Sequence, residues 1–140
     1  MTVYTAAQKE VAEKAQEMIM ANLGRHITIT ELAQILHISP TQLKVSFQKV
    51  YGIPVYSYAR AKRMEAASYL LSETDKSVLE IAGEFGYENG SKFARAFRTI
   101  AGVTPREYRK RVLWERENRM FAEGADDTIL ENVRLEPKES

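Results

Sequence analysis

The sequence contains no cysteine, and histidine, tryptophan and long apolar runs are scarce. Its 140 residues include two His and one Trp. Without cysteine, a disulfide framework, a thiolate zinc site and a cysteine nucleophile are all excluded. No apolar run reaches the roughly 18 residues that a membrane span requires, and the N-terminus lacks the basic-then-apolar pattern of a secretory signal. We therefore expect a soluble cytoplasmic protein without a membrane partner.

The net charge of +1 conceals an uneven distribution of charge along the chain. Residues 1–24 carry a net charge of −1, residues 25–110 a net +5 and residues 111–140 a net −3. Taken over the whole chain, a charge near zero argues against a polyanionic partner. A cationic middle segment between two anionic ends does not, because electrostatic attraction depends on the local charge.

Five capping boxes mark where helices begin. In each, a Ser or Thr is followed three residues later by Glu or Gln, so the two side chains can satisfy backbone N–H groups of the first turn. Together with apolar periodicity, these signals predict an all-α fold of seven helices at roughly residues 6–23, 30–36, 40–50, 55–71, 78–84, 90–100 and 105–121. The five pairs are Thr5 with Gln8, Thr28 with Glu31, Ser39 with Gln42, Ser77 with Glu80, and Thr104 with Glu107.

An internal repeat relates the two halves of the chain. Glu31-Leu32-Ala33 matches Glu80-Ile81-Ala82, and further on Phe47 matches Phe97. Each copy is a short helix, a tight turn and a longer helix, which is the helix-turn-helix pattern. We expect the inward residues of the first short helix and turn to be Leu32, Ala33, Leu36 and Ile38, and those of the second to be Ile81, Ala82, Phe85 and Tyr87.

A helical wheel divides each longer helix into an apolar face and a polar, basic face. The predicted core faces are Leu43, Phe47 and Val50 in the first copy, and Phe93, Phe97 and Ile100 in the second. The opposite faces are rich in long hydrogen-bond donors and lack acidic residues, as a helix in the major groove of DNA requires. They carry Thr41, Lys44, Val45, Gln48 and Lys49, and then Ser91, Lys92, Arg95 and Arg98.

A basic helix face is more often simply solvated than functional, but two such faces in equivalent positions favour DNA binding. The alternative is a helical protein-interaction module that does not bind DNA. His37 precedes the first longer helix, where it could contact phosphate or be an ordinary turn residue. The two histidines have no ligand-spaced partners, so we expect no metal site, no cofactor and no catalytic residues.

The segment from Ser77 to Arg109 resembles the signature of AraC/XylS-type bacterial transcription regulators. The resemblance includes the Gly86-Tyr87 turn, the Phe93 and Phe97 pair and the closing Gly-x-Thr-Pro-x-x-Tyr-Arg sequence. It implies two helix-turn-helix units joined by a rigid linker helix at about residues 55–71, which together read successive major grooves of an operator. It also implies sequence-specific binding of double-stranded DNA, transcription regulation, activation rather than repression, and RNA polymerase as a partner.

The resemblance also assigns roles to side chains on the two longer helices. Base contacts are expected from Thr41, Lys44, Val45, Gln48, Ser91, Lys92 and Arg95, and phosphate contacts from Gln42, Lys49 and Arg98. Thr41 and Val45 depart from the longer polar or aromatic side chains often found at these positions in the family. Base readout is therefore expected to be stronger in the second unit, where Arg95 can donate two parallel hydrogen bonds to guanine.

We expect four segments along the chain. Residues 1–54 form the first helix-turn-helix subdomain, 55–72 the linker helix, 73–111 the second subdomain, and 112–140 a helical extension with an acidic tail. In the extension, Trp114 and Phe121 share one helical stripe, and either pack back onto the domain or contact a partner. Related regulators carry a separate sensor or dimerisation domain, so we expect this chain to be excised from a longer regulator, with a standalone regulator as the alternative.

Overall fold

The computed structural model describes residues 3–123 of the chain, and their side chains as far as residue 120. This part is all helical and without strands, which confirms the predicted fold class. The predicted ends of the helices are confirmed to within three residues. The helices are α1 (Ala6–Met20), α2 (Ile29–Leu36), α3 (Pro40–Tyr51), α4 (Val55–Glu73), α5 (Val78–Glu84), α6 (Gly90–Ala101) and α7 (Pro105–Glu123).

The largest difference from the predicted bounds is at the end of α1. The helix ends at Met20, three residues before the predicted position. The side-chain amide of Asn22 donates to the carbonyl oxygen of Met18 at 2.7 Å. A side chain that satisfies one of the last carbonyls in this way competes with a further helical turn. The chain therefore leaves the helix before Gly24.

In all five predicted capping boxes, both of the reciprocal hydrogen bonds are formed. In the pair before α3, for example, the Ser39 hydroxyl accepts from the backbone N–H of Gln42. In return, the side-chain oxygen of Gln42 accepts from the backbone N–H of Ser39. The same reciprocal bonds begin α1, α2, α5 and α7. Each cap is worth about 1 kcal/mol, so these local bonds fix where the helices start.

Two hydrophobic cores form, one in each repeat, and α4 contributes to both. Its N-terminal half adds Val55 and Ala59 to the core beneath α3, and its C-terminal half adds Met64 and Leu71 to the core beneath α6. The predicted core residues Phe47, Phe93 and Phe97 are fully buried. A helix that is part of both cores cannot rotate freely relative to either. At 1.5 Å per residue, the 19 residues of α4 span about 28 Å.

The turns of the two helix-turn-helix units have the same left-handed backbone at equivalent positions. His37 has φ of 60° and ψ of 41° at the end of α2, and Gly86 has φ of 81° in the second turn. His37 is the one non-glycine residue of the described chain with positive φ, a conformation that costs about 1–2 kcal/mol for a residue with a side chain.

The last helix packs against the end of α4 through two arginines. Arg109 donates to the carbonyl oxygens of Leu71 and Thr74, and Arg116 donates to that of Ser72 at 2.8 Å. Arg116 lies in the extension, so the extension packs back onto the domain at this position, and Trp114 on the same helix is half-buried. Phe121 and the acidic tail lie outside the residues whose side chains are described. No helix between residues 3 and 123 is both long and apolar enough to cross a membrane.

Candidate nucleic-acid interface

The outward face of α3 carries the side chains expected to contact DNA from the first unit. The helix packs inward through Leu43, Ser46 and Phe47. The side chains on its other faces are exposed: Thr41, Gln42, Lys44, Val45, Gln48 and Lys49. Gln42 uses its carbonyl oxygen in the capping box, which leaves its amide N–H groups free to donate to a phosphate. All six are therefore accessible from solvent.

Helix α6 presents an equivalent face in the second unit. Phe93 and Phe97 point into the core, and Ser91, Lys92, Arg95 and Arg98 are exposed. The two alanines flanking the core face, Ala94 and Ala96, are half-buried. The small flanks leave Arg95 and Arg98 as the most prominent side chains of the helix. With three cations against two, this is the more cationic of the two exposed faces.

The cations on these two faces form no ion pair with an acidic side chain among the described residues. Five ion pairs occur in that part of the chain, and their basic members are Lys14, Arg25, Lys62, Lys76 and Arg116. None of the five lies on α3 or α6. The cations of α3 and α6 are therefore available to neutralise an anion without first breaking an intramolecular pair.

One prediction about these helices was wrong, and one buried residue was not predicted. Ile100 was expected to face inward, but it is 43% exposed. It lies in the last turn of α6, at the edge of a groove against Ala61 and Met64 of α4, so the core covers only part of it. Ser46 was not expected inside, yet it is 5% exposed, because α1 packs across that side of α3.

Thr41 and Val45 lie where the exposed face of α3 meets α1. Together with Val11 and Ile38 they line a shallow groove between the two helices. Val45 is 44% exposed, and its methyl groups can offer only apolar contact, for example to a thymine methyl. Of the exposed side chains on this face that are expected to contact bases, Lys44 and Gln48 are the long hydrogen-bond donors.

Sequence reasoning missed one residue that positions α6. Asn89 begins the helix, and its side-chain oxygen accepts from the backbone N–H of Lys92 at 2.8 Å. Asn is a favoured residue at this position even alone. The search for a capping box overlooked it because the third residue is Lys92 rather than Glu or Gln. The cap fixes the first turn, from which Ser91 and Lys92 project.

No group of three or more potential metal ligands occurs among the described residues. The two acidic residues with a lowered pKa lie in the first turns of helices. Hydrogen bonds from the backbone of Thr28 and Thr104 hold the pKa of Glu31 and of Glu107, respectively, below the ordinary value. Burial lowers the pKa of Arg63 in the middle of α4 and raises the pKa of Tyr87 beside it. None of these groups lies on the outward faces of α3 or α6.

The geometry defines a tandem helix-turn-helix domain with two exposed basic helices. A family model described as a helix-turn-helix domain matches residues 32–111. Among known proteins, the chain is 32% identical over 105 residues to the uncharacterized HTH-type transcriptional regulator YtdP of Bacillus subtilis. The match covers 75% of this chain and 14% of YtdP. It is 33% identical over 92 residues to the melibiose operon regulatory protein of Escherichia coli K12, covering 66% of this chain and 30% of that protein.

Solved structures agree with this assignment. The C-terminal domain of the response regulator yesN from Fusobacterium nucleatum superposes with a TM-score of 0.68 at 33% identity, covering 71% of this chain and 98% of that one. The DNA-binding domain of AdpA, a global transcriptional factor solved with a target DNA, superposes with a TM-score of 0.63 at 25% identity, covering 76% and 92%. The chain belongs to the AraC-type helix-turn-helix family. It spans less than a third of YtdP and of the melibiose regulator.

Proposed function

We propose that this chain binds double-stranded DNA in a sequence-specific manner and regulates transcription in the bacterial cytoplasm. The observation that carries the proposal is the pair of equivalent, exposed basic faces on α3 and α6, whose cations have no acidic partner among the described residues. Helix α4 belongs to both cores and so connects the two faces. The two helices enter successive major grooves on one side of the duplex, about one helical turn apart.

Different side chains supply affinity and specificity in this proposal. Arg95 reads a guanine through two parallel hydrogen bonds, and Lys44 and Gln48 read bases from α3. Thr41, Val45, Ser91 and Lys92 complete the base-facing set. Gln42, Lys49 and Arg98 bind the phosphate backbone, which positions the domain but carries no sequence information. We expect stronger base selection by α6, because the first unit presents Thr41 and Val45 where a long donor would be needed.

The likeness to family regulators extends the proposal to the whole protein. Activation, contact with RNA polymerase and control by an N-terminal sensor or dimerisation domain are properties that we infer for it by family analogy. The melibiose operon regulatory protein and YtdP are both longer than this chain, and this supports a further domain. The DNA-reading function itself requires only α1 to α7.

A salt titration tests DNA binding directly. The duplex is one selected from a random pool by this chain and labelled with a fluorophore. As the salt concentration is raised, log Kd should rise linearly with log salt, with a slope of about 0.9 for each phosphate contacted. Lys49→Ala should reduce that slope by about one unit on every duplex. Lys14→Ala is the matched control, since Lys14 lies on α1 and pairs with Glu10. A slope near zero, or no binding to any duplex, would reject the proposed function.

A further inference from the structure

The loop between α1 and α2 contacts the turn of the second helix-turn-helix unit, far away in the sequence. Leu23 packs against both hydrophobic cores. A Cβ atom added to Gly24 would lie 2.9 Å from the carbonyl oxygen of Glu84, and one added to Gly86 would lie 2.9 Å from Cδ2 of His26. At Gly24 the two backbones approach too closely for a side chain, and at Gly86 the His26 ring occupies the space that a side chain would need. This contact joins the two units by a route separate from α4.

His26 holds the turn by two different interactions. Its Nε2 atom lies 2.8 Å from the carbonyl oxygen of Phe85. A carbonyl only accepts, so Nε2 carries the proton and donates, which is possible in the neutral Nε2 tautomer and in the imidazolium alike. The imidazole ring also meets Tyr87 edge to face, with ring centroids 4.8 Å apart and an interplanar angle of 76°, a favourable aromatic geometry.

Tyr87 connects this contact to the recognition helix. Its ring packs against Phe93 with centroids 5.6 Å apart, and Phe93 is the first buried residue of α6. The Tyr87 side chain also packs against the second core, to which the linker helix contributes Met64 and Ala67. The loop of the first unit, the linker helix and the recognition helix of the second unit therefore meet at Tyr87.

We propose that His26 is a positioning residue that fixes the orientation of α6 relative to α3, and thereby the half-site spacing that the chain accepts in DNA. The proposal rests on the proposed DNA-reading function. Each half of α4 is packed into one core, but the helix itself can still bend or twist between the two cores. The contact through His26 is a second point of attachment, and two points suppress that motion. A rigid pair binds a correctly spaced site strongly, whereas any other spacing requires deformation of the DNA.

The orientation can be measured without DNA, because the chain has no native cysteine. Spin labels on Lys49→Cys and Thr99→Cys, exposed residues at equivalent positions of α3 and α6, report the distance between the helices. We expect a narrow distance distribution with His26 present and a broader or shifted one in His26→Ala. His26→Phe keeps an aromatic ring beside Tyr87 but lacks the donor, and should give an intermediate width.

A control variant separates orientation from stability. Leu36→Ala removes a side chain that packs against the first core and not the second, so it weakens that unit while His26 stays in place. It should leave the distribution narrow as long as the protein is folded, which circular dichroism verifies for each variant. A distribution in His26→Ala as narrow as that of the unaltered chain, centred at the same distance, would overturn the positioning role.

The consequence for DNA is measured on a duplex recovered by selection and on two versions with one base pair inserted or removed between the half-sites. The unaltered chain should bind the altered spacings about tenfold more weakly, and His26→Ala should discriminate by less than about threefold. Undiminished discrimination in His26→Ala, or an equal loss of affinity on all three duplexes, would contradict the proposal. If the unaltered chain enriches no duplex, the proposed function fails, while the label distances still decide the positioning role.

Discussion

An alanine at position 86 would destabilise the protein for two separable reasons. Gly86 has φ of 81°, and a residue with a side chain pays about 1–2 kcal/mol for this left-handed conformation. The new Cβ would also lie 2.9 Å from Cδ2 of His26 and 3.3 Å from the carbonyl oxygen of Gly24. Forcing atoms into a filled space typically costs about 1–3 kcal/mol. Gly86→Ala should therefore lower the free energy of unfolding by about 2–5 kcal/mol.

Gly102 provides a control that isolates the steric part. Its φ is 85°, but a Cβ there would have no heavy atom within 4 Å. Gly102→Ala should therefore lose only the backbone part, about 1–2 kcal/mol. The entropy that alanine removes from the unfolded chain is the same at both positions, so it cancels in the comparison. The difference between the two variants measures how tightly the loop presses on the turn.

A double-mutant cycle identifies His26 as the neighbour responsible. In a His26→Ala background the closest atoms are gone, so the further loss caused by Gly86→Ala should fall towards the value for Gly102→Ala. Urea denaturation of the single and double variants gives the required free energies. Equal losses for Gly86→Ala and Gly102→Ala, or a cycle with no coupling, would show that the loop and the turn are not in contact.

Three further variants test other parts of the account. Arg95→Ala should weaken binding to a selected duplex by about 1–3 kcal/mol and relax base choice at one position, whereas an equal loss on random duplex would make Arg95 a phosphate contact. Phe97→Ala, which empties a fully buried site, should lower stability by about 3–5 kcal/mol, and an unchanged thermal melt would contradict the core assignment. Glu107 has a lowered pKa because it accepts from the backbone of Thr104, so its stabilisation is full above its ordinary pKa of 4.5 and is lost as the pH falls through the lowered value. Glu107→Gln should therefore make melting less pH-dependent below about pH 5, and an unchanged pH profile would argue against the charged cap.

The helix starts were predictable because their signals are local. A capping box needs only two side chains three residues apart, so Thr28 with Glu31 is visible in the sequence and is present in the structure. The same rule overlooked Asn89, which caps α6 without an acidic or amide partner. The DNA-facing positions followed from the repeat and the helical wheel, and the structure exposes them. Their contacts with DNA stay a prediction.

Features that depend on packing between distant segments were not predictable. The wheel placed Ile100 inside because it assumes a core along the whole helix, whereas α4 covers only part of the last turn of α6. The hydrogen bond between His26 and the carbonyl oxygen of Phe85 joins residues that are 59 positions apart in the sequence, and no local pattern predicts it. The burial of Arg63 was not predictable either, since a charged residue in a helix is expected in solvent unless other parts of the fold cover it.

The most direct test of two-helix reading is selection of bound duplexes from a random pool by this chain. If α3 and α6 enter successive major grooves, the enriched duplexes should contain two half-sites whose centres are about 10 base pairs apart. The half-site read by α6 should be the more strictly defined, with a guanine opposite Arg95. Enrichment of a single half-site, or of no sequence at all, would contradict the account.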